Sequence, residues 1–540
     1  VLGNPPYIRA ERVKYGEEMR DLWAHVWGQN SDTGLIFLYR ALTEWLEPGG
    51  FLGMVVSGGY ANSEAAAKVW SLLQPGGQAA LRHVVWLEFA GKLWEPNVIP
   101  MLLVVERTEA APDDEIMLHV PAEWPGSDAP HVVRYADFWD KRVSPNGANP
   151  LSLWGNYLLP LLTAEDVPIL RRLYPEGQNF VRLGEIVKWT YGIQRGGVEL
   201  TSEPVGDKPI PVIAGRSLAV AWPGEPAGWV DLAAVEKRPY GKPSLWRGPV
   251  YPDKFIAVAK FGLAPFASVV EAQGRLAGLD TTTVAGTYDV RPEAAAAYLN
   301  SSLVRFYWAV RLRAGVLEGS SRATIYPRSL EGLPWPKNLT PTQEQALAAD
   351  YNLLAGLAAR AKDNPNEWLL AEAERRSAVG HLRLSDPRLG LTFAGGADEV
   401  KAGELRHEGN AINTEAAAFA LFSNADAAEY VYRLLTLTLE EDMALKAADM
   451  QKLVVPADYA ALMAEYRRRW AGFESVEQDF RAALVRMDAT VYDAFGITEP
   501  EQAHISQRLN SFPLNRLQPR YPWQAVKPRP IKAYMADRFA

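Results

Sequence analysis

Cysteine is absent from the 540-residue chain, which excludes disulfides, iron–sulfur clusters and thiolate zinc sites. Histidine is scarce. The seven present are scattered, with no His-Glu-x-x-His or His-x-His grouping, so no metal centre is expected. No apolar run approaches the ~18 residues of a membrane-spanning helix, and the first residues lack the basic-then-apolar order of a signal peptide. A cytoplasmic protein that does not engage a membrane is the expectation. Positive charge is also in deficit, with 56 Lys and Arg against 64 Asp and Glu and a net charge of −8. In a small single domain that balance would speak against nucleic acid. The deficit is uneven, however: residues 1–110 are acidic in balance, whereas residues 181–340 carry more Lys and Arg than Asp and Glu. Phosphate contacts are therefore expected in the middle of the chain.

What is present is ordinary globular composition, 48% hydrophobic and 22% charged, in a chain long enough for several domains. Residues 1–110 read as alternating strands and helices. VLG ends an apolar strand, TGLIFLYRALTEWLEPGG is an amphipathic helix with a Pro-Gly-Gly stop, and FLGMVVSGG is a buried strand directly after it. AAAKVWSLLQPGG repeats the helix-then-stop pattern, and LRHVVWLE and VIPMLLVVER are two further strands. This alternation predicts a largely parallel, doubly wound sheet. Residues 111–180 hold Pro- and acid-rich pieces such as PAEWPGSDAP and SPNGANP and read as a connector with little regular structure. Residues 181–339 change to short strands, Gly and Pro turns and many aromatics, which predicts a β-rich or α+β module, with PEAAAAYLNSSLVRFYWAVRL as one helix inside it. Residues 340–540 read as mainly helical. Thr340, Pro341 and Gln343 form a capping signature, Thr498 and Glu501 another, and AAEYVYRLLTLTLEEDMALKAADM and DYAALMAEYRRRWAGF are further helices.

The stretch that carries chemistry is Asn4-Pro5-Pro6-Tyr7, which follows the first strand. Open α/β sheets hold ligands at the C-terminal ends of their strands. Two consecutive prolines fix φ and remove backbone donors, so the turn presents carbonyl oxygens. An asparagine oxygen beside such a carbonyl makes a pair of acceptors suited to an exocyclic amino group, which has two protons to give. Accepting both draws the nitrogen from planar towards tetrahedral and localises its lone pair for attack on an electrophilic methyl. Tyr7 offers a flat face for stacking on a planar ring. Polarisation and positioning carry such a reaction, with no base needed first.

With NPPY in this context the chain resembles the amino-group DNA methyltransferases that modify adenine at N6, in the subgroup whose catalytic domain precedes its target-recognition domain. The resemblance continues through TGLIFLYRALTEWLEPGGFLGMVVS and FAGKLWEPNVIPMLLVVER. IVKWTYGIQRGG, YLNSSLVRFYWAV, YPRSLEGLPWP and LVRMDATVYDAFGITEPE are similar to successive parts of TaqI-like and Eco57I-type restriction–modification enzymes. The resemblance implies an α/β Rossmann-like methyltransferase fold, of which residues 1–110 are the C-terminal part. A target-recognition domain over 181–339 and a helical region over 340–540 would follow. It implies S-adenosylmethionine as methyl donor, double-stranded DNA as partner and a prokaryotic restriction–modification or phage-defence setting. It gives Trp94 the place of a bulky residue that contacts the extruded adenine opposite Asn4, where the family more often has Phe. The target base must leave the duplex to reach such a pocket.

Within the expected recognition domain, Gln194 has the chemistry to read adenine, and Arg195, Arg216 and Arg322 to read guanine or hold phosphate; Lys254 and Lys260 suit phosphate. The family's donor-binding glycine turn and ribose-binding acid precede NPPY. The chain is therefore expected to be the C-terminal part of a longer enzyme, or one of two chains that complete a sheet, and not to methylate alone. A linked endonuclease would also lie upstream. Glu399-Val400-Lys401 is a Glu-x-Lys, but it follows Asp386-Pro387, which has the wrong order for a nuclease site. Two alternatives stay open: an rRNA or other planar-amine N-methyltransferase, and a DNA-recognition subunit of a defence complex without turnover of its own.

Overall fold

The computed structural model describes residues 1–6, 8, 33–63, 66–90, 99–126, 128–143, 158–175, 177, 179–193, 198–237, 253–272, 277–279, 281–313, 316–317, 322–361, 364–393, 399–401, 405–414, 418–439, 444–524 and 531–539. Six strands form the first sheet: β1 (Leu2–Gly3), β2 (Phe51–Ser57), β3 (Ala80–Trp86), β4 (Pro100–Glu106), β5 (Glu115–His119) and β6 (His131–Arg134), in the order β1-β2-β4-β3-β5-β6. The four strands read from residues 1–110 are all present. Their directions differ from the largely parallel sheet expected. β1 pairs parallel with β2, and β3 with β5, but β4 runs antiparallel to both neighbours and β6 is antiparallel to β5. β1, β2, β3 and β5 thus share one direction, with β4 inserted in reverse. The physical reason is the connection. Helix α1 (Thr33–Arg40) carries the chain from β1 to parallel β2, whereas the described residues between β3 and β4 hold no crossover helix.

Local chemistry explains the first crossover. Leu35, Leu38, Leu42 and Leu46 recur at helical spacing and are buried, so one face of α1 and its continuation packs on the sheet. Pro48 then stops the helix, and Gly49, at φ 76°, turns the chain into β2. The connector expectation over 111–180 gives way in part, because this stretch supplies β5 and β6. Each is short, four or five residues, and flanked by Pro- and acid-rich sequence that masks its alternation.

In the middle of the chain, β7 (Val187–Tyr191), β10 (Lys254–Ala259), β11 (Ala267–Glu271) and β13 (Thr282–Tyr288) form a four-stranded antiparallel sheet in the order β11-β10-β13-β7. β8 (Pro209–Ile213), β9 (Gly228–Asp231) and β12 (Ala277–Gly278) form a three-stranded sheet with its own small core of Ile193, Ile210, Val212, Val230 and Leu279. The β-rich or α+β reading holds. The single helix expected over 292–312 is two, α2 (Pro292–Leu299) and α3 (Ser302–Tyr307). At the break, Asn300 exchanges two hydrogen bonds with the Ala267 backbone (2.8 and 2.9 Å) and the Ser301 hydroxyl accepts from the Val304 N–H. A cap and a tertiary clamp override continuous helix propensity.

The helical region contains α4 (Pro341–Arg360), α5 (Pro365–Val379), α6 (Ala425–Thr438), α7 (Tyr459–Ala494) and α8 (Glu499–Asn510). Both capping boxes form as expected, and Glu501 of the second also pairs with Arg172 at 2.7 Å. Short strands between residues 381 and 456 were not legible as such. α7, about 54 Å long at 1.5 Å per residue, joins two cores. Leu462, Met463 and Tyr466 pack with α5 and α6, while Phe473, Phe480, Met487 and Val491 belong to the large core shared with the sheet and the middle module. α8 is held to that core by the buried Asp166 carboxylate, which takes Arg508 at 3.1 Å and His504 at 2.7 Å. Among the described residues no helix is long and apolar enough to cross a membrane.

Candidate functional site

β1 runs into Asn4, Pro5 and Pro6 at the end of the sheet where β2, β3 and β5 also finish. Register with β2 pairs Leu2 with Gly53 and Gly3 with Met54. A Cβ on Gly53 would stand 2.7 Å from Leu2 Cδ2, so a bare backbone lets the short strand dock. Asn4 and Pro6 are exposed and Pro5 is buried between them. Thr33, the first residue of α1, meets the turn. Its hydroxyl donates to the Pro6 carbonyl at 2.5 Å and accepts from the Ile8 N–H at 3.3 Å, while its own N–H donates to the Ile8 carbonyl at 3.0 Å. The Pro6 carbonyl is thus committed to α1, which leaves the Pro5 carbonyl as the one beside Asn4. Tyr7 and Trp94 lie outside the described residues.

The neighbouring strand ends are tightly built. After β2, the Gly58 N–H donates to the Ile99 carbonyl at 2.7 Å, and a Cβ there would stand 3.0 Å from that oxygen and from the Trp86 ring. After β3, the Trp86 indole donates to Glu88 Oε2 at 2.8 Å. Glu88 is also held by Arg313 of the middle module, with Nη2 to Oε1 at 2.5 Å and Nη1 to Oε2 at 2.6 Å. This buried bidentate pair fastens the loop leading towards Trp94 to the module carrying the recognition candidates. No local sequence pattern announced it, since the partners are 225 residues apart.

In the middle module several candidates converge on one end. Thr281 is the hub: its carbonyl accepts from the Lys260 N–H and its hydroxyl from the Gly215 N–H, which brings the segments bearing Lys260 and Arg216 together. The Lys260 ammonium sits 4.9 Å from the centroid of the Tyr191 ring and 5.4 Å from that of Phe261. Phe261 and Tyr326 are each 39% exposed, and Arg328 is exposed. Burial raises the Tyr191 pKa, the Tyr326 hydroxyl adds to the rise, and Arg328 opposes it. The Ile325 N–H donates to the Lys260 carbonyl, and Thr324 pairs with Phe261, so the strand containing Arg322 runs alongside. Arg322's side chain, and Gln194 and Arg195 altogether, lie outside the described residues. The chain enters them from Tyr191 through Gly192, where a Cβ would be 2.1 Å from the Leu279 carbonyl oxygen.

Lys254 differs from the others. Hydrogen bonds from Glu271 and then Glu293, at 2.7 and 2.6 Å, raise its pKa to about 12 and direct its charge into the module, away from a phosphate. Arg216 is exposed, and its carbonyl accepts from Arg520 Nη1 at 2.8 Å. Sequence reasoning missed Thr33, Glu88, Arg313, Tyr191, Phe261, Tyr326 and Arg328. Of these only Thr33 carried a signal, its position at the start of an expected helix, and that signal read as a cap. Among the described residues no group of three or more His, Asp or Glu side chains could hold a metal ion.

No protein-family model matches the chain, and no curated protein matches it either. Among solved structures the chain is similar to the Type IIL restriction–modification enzyme MmeI in complex with DNA (11% identity, TM-score 0.43, covering 67% of this chain and 50% of that one). It is also similar to a nuclease-deletion mutant of the Type ISP restriction–modification enzyme LlaGI with a DNA substrate mimic (11% identity, TM-score 0.36, covering 90% and 44%). A third is the DrdV–DNA complex (11% identity, TM-score 0.34, covering 92% and 56%). The chain spans about half the length of each of these structures.

Proposed function

We propose that the chain carries the catalytic turn and the target-recognition part of a site-specific DNA adenine-N6 methyltransferase of a restriction–modification or phage-defence system. The observation that supports this reading most is the Asn4-Pro5-Pro6 turn at the C-terminal end of a parallel strand, with Pro6 already bonded to Thr33. Asn4 and the Pro5 carbonyl then form the acceptor pair for the two N6 protons of a flipped adenine, and the nitrogen lone pair localises for attack. Tyr7 stacks on the base, and Trp94 contacts it from the opposite side. S-adenosylmethionine, when bound, supplies the electrophilic methyl; no described residue is assigned to hold it. Residues 1–110 are the catalytic part and 181–339 the recognition part. Within the latter, the end bearing Lys260, Arg216, Arg322, Gln194 and Arg195 faces the DNA, as the cation and aromatic pairing there favours.

The experiment is transfer of labelled methyl from S-adenosylmethionine to duplex DNA by the full-length protein, with and without Asn4→Ala. Labelled N6-methyladenine that falls on the order of 10²–10³-fold in the variant is the expected result, the usual loss for one hydrogen-bonding group at a polarised centre. An intact wild-type preparation that puts no label into DNA overturns the reading.

A further inference from the structure

We propose that Thr33 is a positioning residue for methyl transfer, bracing the catalytic turn so that the Asn4 and Pro5 oxygens meet the target amine; this rests on the adenine methyltransferase reading above. The turn needs an external brace. Pro5 and Pro6 have fixed φ but no N–H with which to pin themselves, and the backbone beyond Pro6 is free to rotate. Thr33 supplies three bonds across that joint: hydroxyl to the Pro6 carbonyl at 2.5 Å, Ile8 N–H to the hydroxyl at 3.3 Å, and its own N–H to the Ile8 carbonyl at 3.0 Å. At 2% exposure the residue is shielded from competing water.

Its anchor is rigid. Thr33 opens α1, whose Leu35 and Leu38 are fully buried in the core, so the brace is referenced to the sheet. The first N–H groups of a helix lack helical partners, and here one is directed to the turn. The brace also selects the acceptor. With Pro6 engaged, the Pro5 carbonyl and the exposed Asn4 side chain face the ligand side. Loss of the hydroxyl frees the Pro6 carbonyl and the Ile8 N–H together, and the turn on both sides of position 7 loses its reference.

The test compares Thr33→Val, which keeps the shape and removes the hydroxyl, with Thr33→Ser, which keeps the hydroxyl. Each is assayed in the full-length protein for methyl transfer to duplex DNA, with kcat and the KM for DNA measured separately and thermal melting as a control. The expected result is a kcat roughly 10- to 100-fold lower for Thr33→Val with KM and melting little changed, as misplacement by a fraction of an ångström produces. Thr33→Ser is expected to restore kcat to within about 3-fold of wild type, a factor of 10 in rate being about 1.4 kcal/mol. Wild-type kcat in Thr33→Val, a Thr33→Ser enzyme as slow as Thr33→Val, or a loss that follows the unfolded fraction overturns the proposal while the parent reading stands. A wild-type protein that transfers no methyl overturns both.

Discussion

Removing Arg313 should loosen the recognition module from the catalytic sheet, at a cost set by the burial of its partner. The Arg313 and Glu88 side chains are 3% and 1% exposed, and they meet at N–O distances of 2.5 and 2.6 Å. The guanidinium also lies 5.9 Å from the Phe89 ring centroid. In Arg313→Met the Glu88 carboxylate stays buried, with the Trp86 indole still donating to it. Breaking a buried pair from one side costs about 3–5 kcal/mol, because an uncompensated charge is left out of water, whereas replacing both partners with apolar residues is often close to neutral. Arg313→Met and Glu88→Met are therefore each expected to destabilise the large core by about 3–5 kcal/mol. The double variant should lose much less than the sum, with a coupling of at least ~2 kcal/mol. Equilibrium urea unfolding of the four proteins, followed by tryptophan fluorescence, measures the cycle. Single variants that each lose under about 1 kcal/mol, or losses that add, would refute the account of a buried lock between the two parts.

Lys260→Met and Arg328→Met should weaken DNA binding across sequences and reduce the salt slope of log K by about 0.9 for each phosphate no longer neutralised; an unchanged slope in fluorescence-anisotropy titrations against salt removes these residues from the interface. Lys254→Met, by contrast, should leave that slope alone and lower stability, since its ammonium serves Glu271 and Glu293. The stacked pair His83 and His119, with ring centroids 5.4 Å apart, should make the first sheet acid-sensitive. Burial lowers both pKa values, and His83 lowers that of His119 further, so the folded protein resists protons that the unfolded chain accepts. Stability is therefore full above about pH 6.5 and is lost as pH falls towards the folded values. His83→Asn should flatten that acid limb in thermal melts from pH 7 to 5, and an unaltered limb would count against the pair.

The features legible in the sequence are those whose causes are local. Asn4-Pro5-Pro6 forms a turn because prolines fix their own dihedrals, and it ends a strand because the residues before it are apolar. Thr340 with Gln343 and Thr498 with Glu501 cap their helices within one turn of chain. The four strands of residues 1–110 followed from runs of β-branched and aliphatic residues. Tertiary structure alone decided what depends on distant partners. The insertion of β4 between β2 and β3 comes from a connection without a crossover helix in its described part, and the break at Asn300 comes from Ala267, 33 residues away. Thr33 reads as a cap until Pro6 is beside it, 27 residues upstream. Lys254 reads as a free cation until Glu271 and Glu293 fold against it, and Glu88 as a surface acid until Arg313 buries it. Periodicity and capping are written into neighbouring residues, whereas the partner of a charge or a hydroxyl is fixed only when the chain closes on itself.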